Sequence, residues 1–208
     1  MEQLVKVTGI AVPILRINID TDSIIPVREM VNTITDDYGP GLFANWRYVK
    51  EREPNPDFIL NKEPWRAATI LLADRNFGCG SSRELAPKAL RHYGFRAVIA
   101  PSFGGIFFNN CFRNGLVPVE LDIAHVKAMA DQMTASGGQA KVTVDLETQT
   151  VTAPDGKTYP FRSPPLMRRM LLEGLDEIEL TLSRGSEIGT FRTADSHKRP
   201  WAYIGGTS

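Results

Sequence analysis

The residues best suited to chemistry lie in one short stretch, residues 76–84, which reads Asn-Phe-Gly-Cys-Gly-Ser-Ser-Arg-Glu. Its glycines, among them Gly80, allow close backbone approach and left-handed conformations. Ser81 and Ser82 supply hydroxyl groups, and Arg83 supplies a planar fork of donors that matches a carboxylate or a phosphate. The stretch precedes a predicted helix, whose free N–H groups favour an anion. We therefore predict an anion site with a pair of serines beside the anion.

Several known glycine- and serine-containing motifs can be compared with this stretch residue by residue. A purely structural alternative is a capping box, in which Ser81 caps the helix and Glu84 lies three residues on. A dinucleotide fingerprint and a nucleophile elbow each require glycine where Arg83 stands, and the Gly-Lys-Ser/Thr of a P-loop is missing. Anion binding and the capping box remain.

A second polar cluster occupies residues 18–23, Asn-Ile-Asp-Thr-Asp-Ser, immediately before the apolar Ile24, Ile25 and Pro26. Two carboxylates and several other side-chain acceptors crowd this one turn. Asx-type turns use such acceptors to hold local backbone N–H groups.

The elements that must position these residues follow from hydrophobic runs. Short apolar runs at 68–73, 97–100 and 116–121 have the composition of buried strands, and two helix-length segments, 86–93 and 106–113, lie between them. This order predicts a parallel βαβαβ core, with the serine stretch at the carboxyl end of its first strand, where open α/β sheets bind ligands. Pro118 indicates that the third strand is an edge strand or begins late.

The flanking segments complete the predicted α/β fold. Residues 4–13 read as one strand interrupted at Gly9 and ended by Pro13, and the aperiodic, aromatic stretch 35–56 reads as a lid or an interaction surface. The later segments are predicted as a helix at 124–133, a β-meander at 141–146, 150–152 and 158–161, a helix at 164–173, and from about 175 another helical segment and a less ordered tail. We divide the chain into a domain at 1–182 and a tail at 183–208.

Composition excludes several classes of protein. The 208 residues carry 24 Lys+Arg and 24 Asp+Glu, so their formal net charge is zero, which argues against a nucleic-acid binder. Cys79 and Cys111 are the only cysteines, which suits a reducing compartment, and the three histidines are dispersed without metal-ligand spacing. No apolar run is long enough for a membrane span and no leader pattern begins the chain. We expect a soluble, cytoplasmic protein without a metal site of its own.

Four motifs in the same order make a specific resemblance. The motifs are residues 18–26, 55–61, 76–84 and 102–110. They resemble the small subunits of 3-isopropylmalate dehydratase, which correspond to the detached swivel domain of the aconitase superfamily, and the similarity extends over the chain to about residue 182. The resemblance implies a swivelling β/β/α barrel-like domain with the βαβαβ core and the β-meander. It also implies a heteromeric hydro-lyase whose large subunit carries a [4Fe–4S] cluster on three cysteines, more cysteines than this chain has.

The resemblance further assigns roles at the serine stretch. By motif position, Ser81 removes the substrate proton as an alkoxide, which needs N–H donors and positive charge from the turn between Gly80 and Arg83. Arg83 would grip a substrate carboxylate and Ser82 would hydrogen-bond it. Asp22 matches an acidic position that orients other groups, with an Asx-turn acceptor as its structural alternative, and we interpret Asp20 as structural.

Departures from the family leave the substrate open. Leu85 stands where the family has histidine, Gly104 and Gly105 replace Ala-Asp, and Arg28 lies in the stretch 27–32 that distinguishes an isopropyl group from a carboxylate. The expected reaction is isomerisation of 2-isopropylmalate to 3-isopropylmalate by dehydration and rehydration, in leucine biosynthesis. If Arg28 points into the pocket, a homoaconitate-type acid is favoured; citraconate and methylmalate-type acids are further alternatives, and a non-catalytic anion-binding module is a hypothesis of another class.

Overall fold

The computed structural model describes residues 1–31 and 36–203, which form two four-stranded sheets with helices packed on them. The strands are β1 Lys6–Gly9, β2 Ala11–Ile14, β3 Ile70–Ala73, β4 Ala97–Ala100, β5 Val117–Glu120, β6 Val142–Asp145, β7 Thr150–Thr152 and β8 Thr158–Pro160. The helices are α1 Thr21–Ile24, α2 Val27–Val31, α3 Ala44–Arg47, α4 Leu85–Tyr93, α5 Gly105–Arg113, α6 Ile123–Ala135, α7 Pro165–Glu173, α8 Glu177–Leu182 and α9 Gly185–Lys198. Short 3-10 turns occur at Gly39–Gly41, Lys50–Arg52, Ile59–Asn61, Trp65–Ala67 and Pro200–Ala202.

The parallel sheet confirms the predicted βαβαβ core. Its order is β2-β3-β4-β5, with α4 between β3 and β4 and α5 between β4 and β5. Every residue of β3 and β4 is buried, as expected for strands covered on both faces. Pro118 pairs with Val98 in the edge strand β5, so the edge-strand prediction is confirmed; only one neighbouring strand requires hydrogen bonds there.

The antiparallel sheet has the order β1-β6-β7-β8 and contains the predicted meander in β6, β7 and β8. The prediction of one strand over 4–13 is wrong, because the chain changes sheets at Ile10: β1 pairs with β6 and β2 pairs with β3. Pro13 does not end the strand, since β2 continues to Ile14 and is the edge strand of its sheet. The α/β class is confirmed, whereas pairing into two separate sheets does not confirm a barrel.

The aromatic stretch before β3 is packed onto the body of the protein rather than extended from it. Phe43 is fully buried, and its ring stacks on that of Trp46 with the centroids 5.2 Å apart. Thr35, the first residue of this predicted stretch, and Asn32 lie outside the described residues. A role for the stretch as a lid or an interaction surface stays a prediction.

The C-terminal region is more helical than the sequence indicates. The predicted helix at 164–173 is present as α7, and Gly174 ends it with a left-handed φ of 71°. Helix α9 lies within the region 183–208 predicted as a tail, and none of its residues is buried. That helix has no apolar face packed on the domain, which is why no periodic signal predicted it. A domain boundary at 182 stays a prediction.

Candidate active site

The serine stretch lies between two neighbouring loops at the carboxyl end of the parallel sheet. On one side, the Gly78 N–H donates to the Ile19 carbonyl at 2.7 Å and the Thr21 N–H donates to the Cys79 carbonyl at 2.9 Å. These bonds join the stretch to the polar cluster at residues 18–23. Two regions about 60 residues apart in sequence therefore form one site, as the shared sheet edge predicts.

On the other side, the stretch is joined to the loop between β4 and α5. The Phe77 N–H donates to the Ser102 carbonyl at 3.0 Å, and the Gly104 N–H donates back to the Phe77 carbonyl at 2.9 Å. The backbone of the serine stretch is thus held from both sides before it reaches Ser81. A backbone held in this way is preorganised, which is what an anion site requires.

Two glycines allow this close packing. A Cβ on Gly78, which has a φ of 72°, would lie 2.2 Å from Cγ of Phe107. A Cβ on Gly104 would lie 2.4 Å from the Gly78 carbonyl oxygen. Any side chain at either position would push the loops apart. The close contact explains glycine at position 104 but not at 105, where an added Cβ would meet nothing within 4 Å.

The two serines are exposed and available. Neither the Ser81 nor the Ser82 hydroxyl has a hydrogen-bond partner within residues 1–31 and 36–203. The capping-box alternative is wrong, because helix α4 begins at Leu85 and Glu84, its cap residue, makes no side-chain capping bond. Ser81 therefore does not serve the helix, and its hydroxyl is free for a ligand.

The peptide of Ser81 is held in part by Thr21, a residue that sequence reasoning missed. The Thr21 hydroxyl donates to the Ser81 carbonyl at 3.0 Å, and the Arg83 N–H donates to the same oxygen at 2.8 Å. Thr21 is buried, with 1% of its surface exposed. The only signal for Thr21 in the sequence was its place between two aspartates. Its contact with Ser81 arises from the tertiary fold.

Arg83 and Asp22 form the charged part of the site. Nη1 of Arg83 lies 2.5 Å from Oδ1 of Asp22 and donates to the Ile25 carbonyl at 3.3 Å. The arginine side chain is mostly buried, at 20% exposed, whereas Asp22 is 55% exposed. The structure thus brings these two predicted residues together, with Asp22 in position to orient Arg83.

Asp20 has the structural role predicted for it. Its Oδ1 accepts from the Ser23 N–H at 2.7 Å and so caps helix α1. The Asx-turn alternative considered for Asp22 is therefore filled by Asp20 instead. Asp22, two residues along, is left to pair with Arg83.

The surroundings of both cysteines disfavour the thiolate form. Partial burial, and to a lesser extent the charge of Asp20, raises the pKa of the Cys79 thiol above its usual value. Full burial raises the pKa of Cys111 well above its usual value. A raised pKa leaves little thiolate at neutral pH, so neither thiol is an effective nucleophile.

A pair of asparagines also braces the site, and sequence reasoning did not single it out. Nδ2 of Asn76 donates to Oδ1 of Asn18 at 2.8 Å, and the Asn76 N–H donates to the Ser102 hydroxyl at 2.9 Å. Both asparagines have positive φ, 61° and 55°, a conformation that asparagine tolerates better than most residues. The sequence could have indicated these two asparagines by their position, since each follows shortly after a strand of the parallel sheet.

Arg28 lies on helix α2, next in sequence to a buried carboxylate. Its Nε is 3.4 Å from Oε1 of Glu29, which is 9% exposed and also pairs with Arg52. The Arg28 side chain is 60% exposed. Leu85, which replaces the family's histidine, is half-buried and packs against the core. It therefore adds no polar group to the site.

Metal-binding and membrane-spanning features can be stated for the described residues. Among them, no three His, Cys, Asp or Glu side chains are grouped so that they could hold a metal ion. No helix in this part of the chain combines the length and the apolar character needed to cross a bilayer.

Comparison with known proteins gives consistent matches. The model of the aconitase C-terminal domain matches residues 1–124, and a LeuD_N model matches residues 128–162. A 3-isopropylmalate dehydratase small subunit from Cupriavidus necator is 50% identical, with 99% of this chain and 100% of the relative covered. One from Hahella chejuensis is 45% identical, with 99% of each chain covered. The crystal structure of 3-isopropylmalate dehydratase (LeuD) from Methanocaldococcus jannaschii is similar with a TM-score of 0.62 and 25% identity, covering 89% of this chain and 98% of that one.

Proposed function

The chain belongs to the family of 3-isopropylmalate dehydratase small subunits, and on this premise we propose that it completes the active site of a two-chain hydro-lyase. The reaction is the isomerisation of 2-isopropylmalate to 3-isopropylmalate by dehydration and rehydration, a step of leucine biosynthesis. The observation that carries the proposal is the exposed Ser81 hydroxyl, two residues before the Arg83 that pairs with Asp22, on a loop held from both sides. The substrate is a small hydroxy acid with two carboxylates.

In this mechanism Ser81 takes the proton from the carbon next to the one that carries the hydroxyl group. A serine is a weak base, so its alkoxide must be stabilised by nearby donors and positive charge. The exposed turn at Gly80, with its φ of 92°, and the guanidinium of Arg83 are the groups of this chain that can do so. On rehydration the same hydroxyl returns a proton to carbon.

Arg83 and Ser82 bind and orient the substrate. The guanidinium has five N–H donors in a planar fork, and contacts to Asp22 and Ile25 use only Nη1. The remaining donors are available to a substrate carboxylate in a bidentate arrangement. Asp22 fixes the plane of the fork, and the Ser82 hydroxyl adds a hydrogen bond to the same carboxylate.

The Lewis acid comes from the large subunit. A [4Fe–4S] cluster there would polarise the hydroxyl group that leaves as water. Support for this assignment is the donor set of the small subunit, since its described residues include no group of three metal-ligating side chains. We also infer that the enzyme works in the cytoplasm, because a cluster-dependent reaction and two unpaired cysteines both suit a reducing compartment.

Arg28 is the proposed specificity residue. Its Nε lies 3.4 Å from Oε1 of Glu29, the carboxylate that also holds Arg52, so we propose that its guanidinium is directed toward Glu29 and not into the pocket. We therefore favour isopropylmalate over acids with an additional carboxylate. An Arg28→Ala variant should leave isopropylmalate turnover unchanged and remove any turnover of homoaconitate-type acids.

The deciding experiment is anaerobic co-expression with the large subunit and kinetics on isopropylmalate, citraconate and homoaconitate-type acids. Ser81→Ala should lower kcat by at least ~10²-fold with assembly intact, because it removes the base. The matched variant Ser82→Ala, in the same exposed turn, should mainly raise KM. Arg83→Lys should also raise KM, since the bidentate fork is lost.

Three outcomes would contradict parts of the proposal. Near-normal turnover by Ser81→Ala would remove the proposed base. Preference for another acid would keep the chemistry and change the substrate. Tight binding of the acid by the isolated chain, with no complex and no turnover, would support the anion-binding module instead.

A further inference from the structure

The exposed large apolar side chains of the described chain fall mainly into two groups. One group lies on segments next in the chain to those bonded to residues 76–84, which we call the active loop, and consists of Ile17, Val27, Val31 and Ile106, each more than half exposed. The other lies in the C-terminal arm, which we define as residues 177–201, and consists of Ile178, Leu182, Ile188, Phe191 and Trp201. Apolar groups concentrated in this way mark surfaces that another molecule covers.

The arm is folded but has no core of its own. Ile178 and Leu182 lie four residues apart on one side of α8 and are 71% and 70% exposed, while Leu180 between them is buried. In α9 no residue is buried, and Phe191 is 61% exposed. A 14-residue helix with glycine at two positions is marginal in water by itself, so α9 requires packing that the rest of the described chain does not provide.

The arm is continuous with the active face, by which we mean the surface around the active loop. A cleft of about 330 Å³ has Glu84 of the active loop and Glu177 and Ile178 of the arm among its lining residues. Arg113 is the last residue of α5 and pairs with Glu177 at 2.8 Å. The first turn of the same helix, which contains Ile106, begins beside the active loop. One partner lying on the active loop therefore reaches the arm without leaving the surface.

We propose that the C-terminal arm is a second docking element for the large subunit, which binds Leu182 and Phe191 while it closes on the active face. The proposal rests on the proposed function in one respect, that the active face closes on the large subunit. A second copy of this chain is the competing occupant. The large subunit is favoured because the arm adjoins the face that it must cover.

The test measures assembly separately from catalysis. Leu182→Asp and Phe191→Asp are introduced singly into the full chain, and binding to the purified large subunit is measured by titration. The matched control is Ala135→Asp, which adds the same charge to an exposed position at the last residue of α6, the end of that helix away from the carboxyl edge of the parallel sheet. Because neither arm side chain is buried, thermal unfolding of the isolated variants should match that of the parent chain.

Each arm variant should raise the Kd for the large subunit by about 30-fold or more, the effect of losing an interface hot spot. Ala135→Asp should not change Kd. At saturating large subunit the arm variants should recover the parent kcat, whereas Ser81→Ala should assemble normally and fail to turn over. A failure of either proposal is thereby distinguished from a failure of the other.

An unchanged Kd in both arm variants would overturn the inference. So would self-association of the isolated chain that is lost in Phe191→Asp while affinity for the large subunit stays the same. The latter result, read by sedimentation velocity, would assign the arm to a second copy of this chain.

Discussion

Substituting alanine for Gly78 tests whether close packing holds the active loop in place. Two costs add in this variant. Alanine at a φ of 72° is strained by about 1–2 kcal/mol. Its Cβ would also lie 2.2 Å from Phe107 Cγ, and overpacking of this kind typically costs about 1–3 kcal/mol. We expect Gly78→Ala to lower the free energy of unfolding by about 2–5 kcal/mol.

A matched control separates the two costs. Gly156 has a similar φ of 83°, but nothing lies within 4 Å of a Cβ added there. Gly156→Ala should therefore show the backbone strain alone, about 1–2 kcal/mol. The difference between the two variants measures the collision with the ring of Phe107.

The assay is urea unfolding of the isolated chain, followed by kcat in the assembled enzyme. Alanine at position 107 lacks the three ring atoms nearest to the added Cβ, so Gly78→Ala should cost less in a Phe107→Ala background, by about 1 kcal/mol. In the complex we expect Gly78→Ala to lose activity, because Ser81 lies three residues along the displaced backbone. If Gly78→Ala is no more destabilising than Gly156→Ala, the packing argument for this loop is wrong.

Two further predictions concern Thr21 and Asp145. Thr21→Val removes the hydroxyl bonded to the Ser81 carbonyl at nearly constant side-chain volume, so it should cost about 1 kcal/mol of stability and lower kcat up to about tenfold. Thr21→Ser keeps the hydroxyl and should retain kcat. An equal kcat for Thr21→Val and the parent enzyme would contradict a positioning role for Thr21. Hydrogen bonds from Lys6 and then from the Thr148 N–H lower the pKa of Asp145 to about 2 from 3.8. Because the pKa of Asp145 is lower in the folded chain than in the unfolded chain, its ionisation stabilises the fold at pH values above the unfolded-state pKa. This stabilisation is lost as the pH falls through the folded-state pKa. Asp145→Asn should thus lower the free energy of unfolding by up to about 1 kcal/mol at pH 7. The difference between this variant and the parent chain should shrink between pH 4 and pH 2. A difference that does not change with pH would assign the effect to something other than ionisation.

The sequence by itself determined the local parts of the structure and the kind of chemistry. Hydrophobic runs of strand length, with glycines ending the helices between them, were sufficient for the βαβαβ core and for placing Ser81 at its carboxyl edge. These features depend on residues close together in the chain, so periodicity and turn chemistry predict them. The residue types at 80–83 predicted an anion site, and the four ordered motifs identified the family.

Tertiary structure decided which distant groups meet. The change of sheet at Ile10 depends on pairing with β6 and β3, strands far along the chain, and no local pattern encodes that choice. The contact of Thr21 with Ser81 and that of Gly78 with Phe107 likewise join separate loops. Helix α9 is the reverse case: none of its residues is buried in the described chain, so the periodic signal that comes from packing against a core was absent.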